Sequence, residues 1–139
     1  MIALVFALTL GLPNPALTPG ATRAVTMNEL CTPGSASKAR QISGATKREV
    51  FRRYRITPQP GAYEIDHLIS LELGGSNDLA NLWPQPYDGP RNAHDKDALE
   101  NQLHTLVCTG YVRLAEAQRA IATDWIAALK RYGGKGGPR

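Results

Sequence analysis

Residue types that can bind a metal ion or move a proton lie close together in the middle of the chain. Asp66 and His67 are adjacent, and Asn81 follows fourteen residues after His67. His94 comes next. Metal-assisted hydrolysis needs an activated water on one side of the attacked atom and charge neutralisation of the leaving oxygen on the other. A neutral histidine can supply the first, and a metal ion bound by carboxylate or imidazole can supply the second.

The residues around Asp66 and His67 predict a hairpin of two strands. Residues 63–69 alternate well enough for the first strand, residues 74–78 are a strong turn signal, and residues 79–83 form a short second strand. Neighbouring residues on an extended strand point to opposite faces. Asp66 and His67 can therefore serve one site only where the strand bends or the loop begins.

Three helices are predicted beside this hairpin, which makes the fold α+β and mostly helical. One covers about Lys47 to Tyr54, with Ser43 or Thr46 as its N-cap. The others run from about Asn92 to Val107 and from about Leu114 to Tyr132. Their apolar residues recur at helical spacing, namely Leu99, Leu103, Leu106 and Val107 on the first and Ala117, Ile121, Trp125, Ala128 and Leu129 on the second.

Both ends of the chain are predicted to lie outside the folded domain. Residues 1–10 are an apolar run that is too short to span a bilayer and suits an export signal. A buried first segment of the mature fold is the alternative. The Pro-rich residues 12–22 indicate an extended, exposed linker. We therefore expect an export signal and linker at 1–22, one domain at 23–132 and a disordered tail at 133–139.

Two cysteines, Cys31 and Cys108, lie far apart and lack the Cys-x-x-Cys spacing of zinc ribbons and thioredoxins. If the chain is exported, a disulfide between them is the natural interpretation. Closing so long a loop would stabilise the fold by roughly 3–4 kcal/mol. In a reducing compartment they would instead be two buried thiols.

The motifs of this hairpin resemble those of the HNH endonuclease family. Asp66-His67-Leu-Ile, the Gly74-Gly75 turn and Asn81-Leu82 agree with that family in residue type and spacing. The wider chain is similar to a bacterial HNH-like group with an N-terminal export signal. The similar segments are Glu64-Ile-Asp-His-Leu-Ile, Leu71-Glu-Leu-Gly-Gly, Asn81-Leu-Trp-Pro-Gln-Pro and Ala115-Glu-Ala-Gln-Arg-Ala. This resemblance covers most of the chain after Leu12 and implies a ββα-metal fold, also called the His-Me finger, with flanking helices.

The resemblance also implies roles for the individual residues of the motif. Asp66 would bind one divalent metal ion, and His67 would be the general base. Asn81 would orient the loop that carries His67, through hydrogen bonds to its backbone or ring, and so fix the tautomer. Mg²⁺ is the expected ion, with Mn²⁺, Zn²⁺ and Ni²⁺ as alternatives.

The chain departs from the family at the third position of the motif. Family members often have the final His or Asn about nine residues after the middle Asn, where this chain has Pro90. The candidates for the further metal ligand become Asn92, His94 and Asp97. His94 is favoured because it can stand on the first turn of a helix that faces the hairpin. His104 lies about 15 Å further along that helix, so we expect it to be structural or phosphate-facing.

Basic residues concentrate before the hairpin, and the chain has a formal net charge of +4. They are Lys38, Arg40, Lys47, Arg48, Arg52, Arg53 and Arg55, with Glu49 the only acid among them. Such a run can follow a phosphate backbone, and a solvated helix face is the alternative interpretation.

The resemblance thus implies a secreted or periplasmic metal-dependent endonuclease that hydrolyses DNA with low sequence specificity. RNA is the alternative substrate, and no membrane span is expected once the signal is removed. A non-catalytic exported module, which keeps the HNH-like scaffold to bind nucleic acid or to serve a structural role, is the competing hypothesis.

Overall fold

Two antiparallel strands and five α-helices form the part of the chain that the computed structural model describes, residues 11–133. The helices are α1 (Met27–Leu30), α2 (Ser35–Ala39), α3 (Gly44–Tyr54), α4 (Ala93–Cys108) and α5 (Leu114–Tyr132), and the strands are β1 (Tyr63–His67) and β2 (Leu82–Pro86). The hairpin and its loop pack against α2, α3 and α4. The predicted α+β class, mostly helical, is confirmed.

The second strand begins later than the sequence predicts. Residues 79–81 form a 3₁₀ turn, and β2 pairs with β1 so that Trp83 lies opposite Asp66. Pro84 and Pro86 obscured this strand in the sequence, because proline lacks the N–H that a ladder needs. Within residues 11–133 the outer edge of β2 has no partner strand, so both prolines are accommodated.

The helix ends follow the capping residues in the sequence. The side chain of Ser43 accepts a hydrogen bond from the backbone N–H of Thr46, which makes Ser43 the N-cap of α3. Asn92 caps α4 in the same way. Helix α5 has the predicted bounds, but Asp124 adopts extended backbone angles within it and caps the following turn through its carboxylate. The apolar stripe did not indicate this kink, because both halves of the helix keep the same buried face.

Two apolar clusters support the hairpin and the long helices. The first lies between α4 and α5 and includes Leu99, Leu103, Leu106, Ala117, Ile121, Trp125 and Ala128. The second lies between α3 and the hairpin and includes Val50, Tyr54, Ile65, Leu68, Leu82 and Trp83. The predicted disulfide is confirmed: Cys31 is bonded to Cys108 across a sequence separation of 77, and it joins the end of α1 to the end of α4.

The segment 12–22 is not the exposed linker that its composition indicated. Thr18 is buried and donates a hydrogen bond to the carbonyl of Leu82, and Gly20 N–H donates to the carbonyl of Ala80. Because it docks mainly through backbone bonds, the segment needs no amphipathic pattern. The predicted export signal at 1–10 lies outside the described residues, as does the predicted tail beyond Gly133. No helix within residues 11–133 combines the length and apolarity needed to cross a bilayer.

Candidate active site

A cavity of about 180 Å³ lies at the end of β1, between the hairpin loop, α2 and the first turns of α4. We call it the acidic cavity because five carboxylates line it. Its wall is formed by Ala36, Arg40, Glu64, Asp66, His67, Ser70, Leu71, Glu72, Asp97 and Glu100. Asp66 and His67 both reach it because His67 is the last residue of β1, where strict alternation of the strand ends.

Asp66 is nearly buried, with 7% of its surface exposed, and two hydrogen bonds hold its carboxylate in place. Its Oδ2 accepts hydrogen bonds from the indole Nε1 of Trp83 at 3.1 Å and from the Nζ of Lys96 at 2.8 Å. Its Oδ1 accepts no hydrogen bond from the described residues. One carboxylate oxygen thus fixes the side chain, and the other is left for a ligand in the acidic cavity.

Lys96 is a residue of the site that the sequence analysis missed. It is fully buried, and its Nζ contacts Asp66, Glu100 at 2.5 Å and the carbonyl oxygen of His67 at 2.9 Å. Burial alone would lower the pKa of Lys96, but the two carboxylates raise it above its ordinary value. A signal was present: Lys96 stands three residues before Leu99, on the apolar stripe of α4.

His67 is 4% exposed, and this burial lowers the pKa of its imidazole against the opposing hydrogen bond to Asn77. The ring is therefore neutral near pH 7, as a general base must be. Its Nε2 lies 3.0 Å from Oδ1 of Asn77. The sequence indicates Asn77 only as part of the turn signal at residues 74–78.

The side chain of Asn81 holds the loop after His67 by hydrogen bonds to the loop backbone rather than to the imidazole ring of His67. It is fully buried, its Oδ1 accepts from the N–H of Ile69, and its Nδ2 donates to the carbonyls of Ile69 and Ser76. The loop closes so tightly here that a Cβ at Gly75 would collide with the carbonyl oxygen of Ile69. Of the two possibilities for Asn81, the structure shows the bonds to backbone.

The structure separates the three candidates for the third position. Asp97 lines the acidic cavity together with Asp66. His94 is exposed on the first turn of α4 and is not part of the cavity wall. The side chain of Asn92 is occupied as the cap of α4 and donates to the carbonyl of Gly89.

The five carboxyl groups of the acidic cavity outnumber the cations beside them, Arg40 and Lys96. Burial raises the pKa of Glu64 and of Asp97, and the nearby Asp66 raises both further. Burial likewise raises the pKa of Glu72. The hydroxyl of Ser70, which is 4% exposed, lines the same cavity and has no hydrogen-bond partner among the described residues. A hydrated cation with oxygen ligands would satisfy both the charges and this hydroxyl.

His104 belongs to a different place, beside the disulfide. In the described residues, the only set of three His, Cys, Asp or Glu ligand atoms within 4.8 Å of one another is that of Cys31, His104 and Cys108. Both sulfurs are already bonded to each other. The Nε2 of His104 lies 3.0 Å from the carbonyl oxygen of Leu30. This contact favours the structural role of His104 over the phosphate-facing role, the two that the sequence left open.

The basic residues of α2 and α3 are mostly exposed, and one of them reaches the acidic cavity. Arg40 lines the cavity wall from the segment that follows α2. Arg52 pairs with Glu49 on the surface at 2.6 Å, and Arg53 donates to the carbonyl of Leu17. The remaining exposed cations, Lys38, Lys47, Arg48 and Arg55, have no ion pair among the described residues.

Comparison with known proteins adds no relative to this geometry. No protein-family model matches the chain, and searches of curated proteins and of solved structures find no significant match.

Proposed function

We propose that this protein is a metal-dependent endonuclease of the HNH type, which hydrolyses DNA phosphodiester bonds with low sequence specificity. The observation that carries the proposal is that Asp66 and His67 share one cavity at the end of a strand, with Asn81 holding the loop between the strands. On this proposal the hairpin and α4 are the ββα-metal core, and the other helices are additions to it.

The donors of the acidic cavity fit a hard divalent cation. Asp66 and Asp97 would hold it, so Asp97 takes the role for which the sequence favoured His94. Mg²⁺ is commonly bound by one or two carboxylates and keeps several waters, so it needs no third converged side chain. The oxygen-only donor set favours Mg²⁺ or Mn²⁺ over Zn²⁺ and Ni²⁺. The bound ion would neutralise the charge that develops on the leaving oxygen.

The proton-transfer step falls to His67. Its neutral ring would take a proton from the attacking water, a contribution of typically 10²–10⁴-fold in rate. Lys96 and Asn81 both bind the backbone around this residue, through the carbonyl of His67 and the N–H of Ile69. They would keep the ring in place while the proton moves.

The exposed cations beside the cavity support a nucleic-acid partner. Arg40 stands at the wall of the acidic cavity, and the exposed cations of α3 follow it along the chain. Contacts of this kind bind phosphates irrespective of sequence, so DNA affinity should fall steeply as salt rises. RNA remains the alternative substrate. The disulfide is consistent with an oxidising compartment, so we infer a secreted or periplasmic protein.

One observation favours a second candidate, a non-catalytic exported module. Oδ2 of Asp66 is already satisfied by Trp83 and Lys96, so the carboxylate is stable without a cation. Such a module would bind nucleic acid, and at most a metal ion, without cutting.

The test combines plasmid nicking by purified protein with calorimetric titration of Mg²⁺ and Mn²⁺. His67→Ala should abolish nicking and keep metal binding, whereas Asp66→Ala should lose both. Asp97→Ala should resemble Asp66→Ala. His94→Ala, an exposed histidine outside the cavity, is the matched control and should be nearly silent.

Three results would overturn parts of this proposal. Wild-type protein that binds DNA and cuts nothing with either ion would favour the non-catalytic module. Normal nicking by His67→Ala would remove that residue as the base. Loss of metal binding in His94→Ala, with Asp97→Ala unaffected, would return the ligand role to His94.

A further inference from the structure

Asn77 connects three segments around the acidic cavity through one side-chain amide. Its Nδ2 donates to the carbonyl oxygen of Ala39 at 2.8 Å. Its Oδ1 accepts from the N–H of Gln41 at 3.3 Å and lies 3.0 Å from Nε2 of His67. Ala39 is the last residue of α2, Gln41 lies two residues after it, and His67 lies at the end of β1. This one side chain therefore ties the end of α2 to the hairpin.

The two backbone contacts determine which way the amide of Asn77 points. A carbonyl oxygen can only accept, so the group facing Ala39 must be the NH₂. A backbone N–H can only donate, so the group facing Gln41 must be the oxygen. The atom that faces the imidazole of His67 is therefore an acceptor, and Nε2 must carry the proton in this hydrogen bond.

A neutral imidazole carries one proton, so its other nitrogen is then the acceptor. That nitrogen, Nδ1 of His67, has no hydrogen-bond partner among the described residues. We propose that Asn77 is a positioning residue that holds His67 in the tautomer protonated at Nε2 and so makes Nδ1 the atom that takes the proton from water. This inference rests on the proposed nuclease function only for the identity of the reaction.

Asn77 and Asn81 divide the work of placing His67. Asn81 is fully buried and binds the backbone that follows the histidine, whereas Asn77 is half-buried and binds its ring. Asn77 also holds the backbone on both sides of Arg40, which lines the same cavity. The side-chain amide of Asn77 thus orients the ring of His67 and also holds the backbone that places Arg40 at the cavity wall.

The tautomer can be measured without any nuclease activity, by long-range ¹H–¹⁵N NMR spectra of the His67 ring at a pH where it is neutral. Wild-type protein should show a protonated Nε2, with its proton protected from exchange, and an unprotonated Nδ1. In Asn77→Ala the Nε2 proton should exchange rapidly and the ring should shift towards a mixture of tautomers. Asn28→Ala, at an exposed residue of α1, is the control and should leave the spectrum unchanged.

Asn77→Asp separates the two contacts made by the side-chain oxygen, with Gln41 and His67, from the contact that its NH₂ group makes with Ala39. The carboxylate still accepts from Nε2 and from the backbone of Gln41, but it has no donor for the carbonyl of Ala39. The Nε2-protonated tautomer should therefore persist in Asn77→Asp. A wild-type ring protonated at Nδ1, or an Asn77→Ala ring identical to wild type, would overturn the inference.

Nicking assays then show whether the tautomer matters for the reaction. Asn77→Ala should lower kcat by between about twofold and about tenfold, the range that one net hydrogen bond supports, with KM for plasmid nearly unchanged. An unchanged kcat in Asn77→Ala with wild-type nicking present would contradict the inference. Absence of nicking in wild type, with the expected tautomers, would contradict the proposed function and leave the role of Asn77 in setting the ring intact.

Discussion

The two ends of α4 bury very different side chains on the same face of one helix. Towards its C-terminus the buried face consists of Leu99, Leu103 and Leu106, which pack against α5. At its N-terminus the same face buries Lys96, which contacts two carboxylates beside the acidic cavity. The regular spacing is shared, and only the chemistry of the buried group changes.

This difference separates what stabilises the fold from what serves the site. Burying a leucine removes apolar surface from water and stabilises the fold by about 1.5–3 kcal/mol. Burying a lysine with its carboxylates carries a desolvation penalty that their attraction offsets only in good geometry. Replacing the whole cluster, Lys96 together with Asp66 and Glu100, by apolar residues of similar volume would leave the fold at least as stable, so the ionic cluster is best explained by its position beside the acidic cavity.

The strongest test of this comparison removes the charge from the polar end. Lys96→Met should lower the free energy of unfolding by about 3–5 kcal/mol at pH 7, because the buried carboxylate of Asp66 loses its counter-charge. Burial already raises the pKa of Glu100 to about 8, so that carboxyl contributes less at this pH. The loss should shrink as the pH falls, since protonated carboxyl groups need no counter-charge. Urea unfolding between pH 4 and pH 8 measures both effects.

The matched control lies one turn along the same face. Leu99→Met conserves volume and should cost less than about 1.5 kcal/mol at any of these pH values. Lys96→Met combined with Asp66→Asn and Glu100→Gln should recover most of the lost stability. Equal losses for Lys96→Met and Leu99→Met would mean that the ionic cluster is not energetically distinct.

A smaller effect is expected at the apolar end, where the disulfide anchors α4. Replacing Cys31 and Cys108 together by serine should lower the free energy of unfolding by about 2–4 kcal/mol. Cys108 lies about 18 Å along the helix from Lys96, so the acidic cavity should be unaffected. Metal titration and nicking, at a temperature where the variant is still folded, check this; loss of metal binding there would show that the two ends are coupled.

The smallest effect concerns the charge on Glu72 in the cavity wall. Burial raises the pKa of this carboxyl in the folded state, so its ionised form disfavours folding at neutral pH. Glu72→Gln should therefore raise the Tm by about 2 °C at pH 7.5. Near pH 4, below the ordinary pKa of 4.5, the carboxyl is mostly protonated in both states and most of the gain should be lost.

Calorimetry at the two pH values measures this, with Asp88→Asn as a control that removes one exposed charge. A gain in Tm for Glu72→Gln that is equal at both pH values, or one that Asp88→Asn reproduces, would contradict the assignment.

The sequence predicted those parts of the fold that depend on local rules. Apolar spacing placed α4 and α5, and the leader with its two isolated cysteines predicted the disulfide. Of the two candidate caps of α3, Ser43 is the one used, so the helix starts at Gly44, three residues before the predicted start at Lys47. The strand that carries Asp66 and His67 was also found, because a Gly-Gly turn and alternating residue types mark it without reference to distant residues.

Tertiary structure alone decided which groups meet in the acidic cavity. The rotation of α4 against the hairpin brings Asp97 to the cavity wall and leaves His94 outside it, although both are exposed and both lie within the first two turns of that helix. The docking of the α2 segment decides that Asn77 binds the ring of His67. Such contacts depend on helix rotation and on loop backbone carbonyls, which residue types and spacing in one chain do not specify.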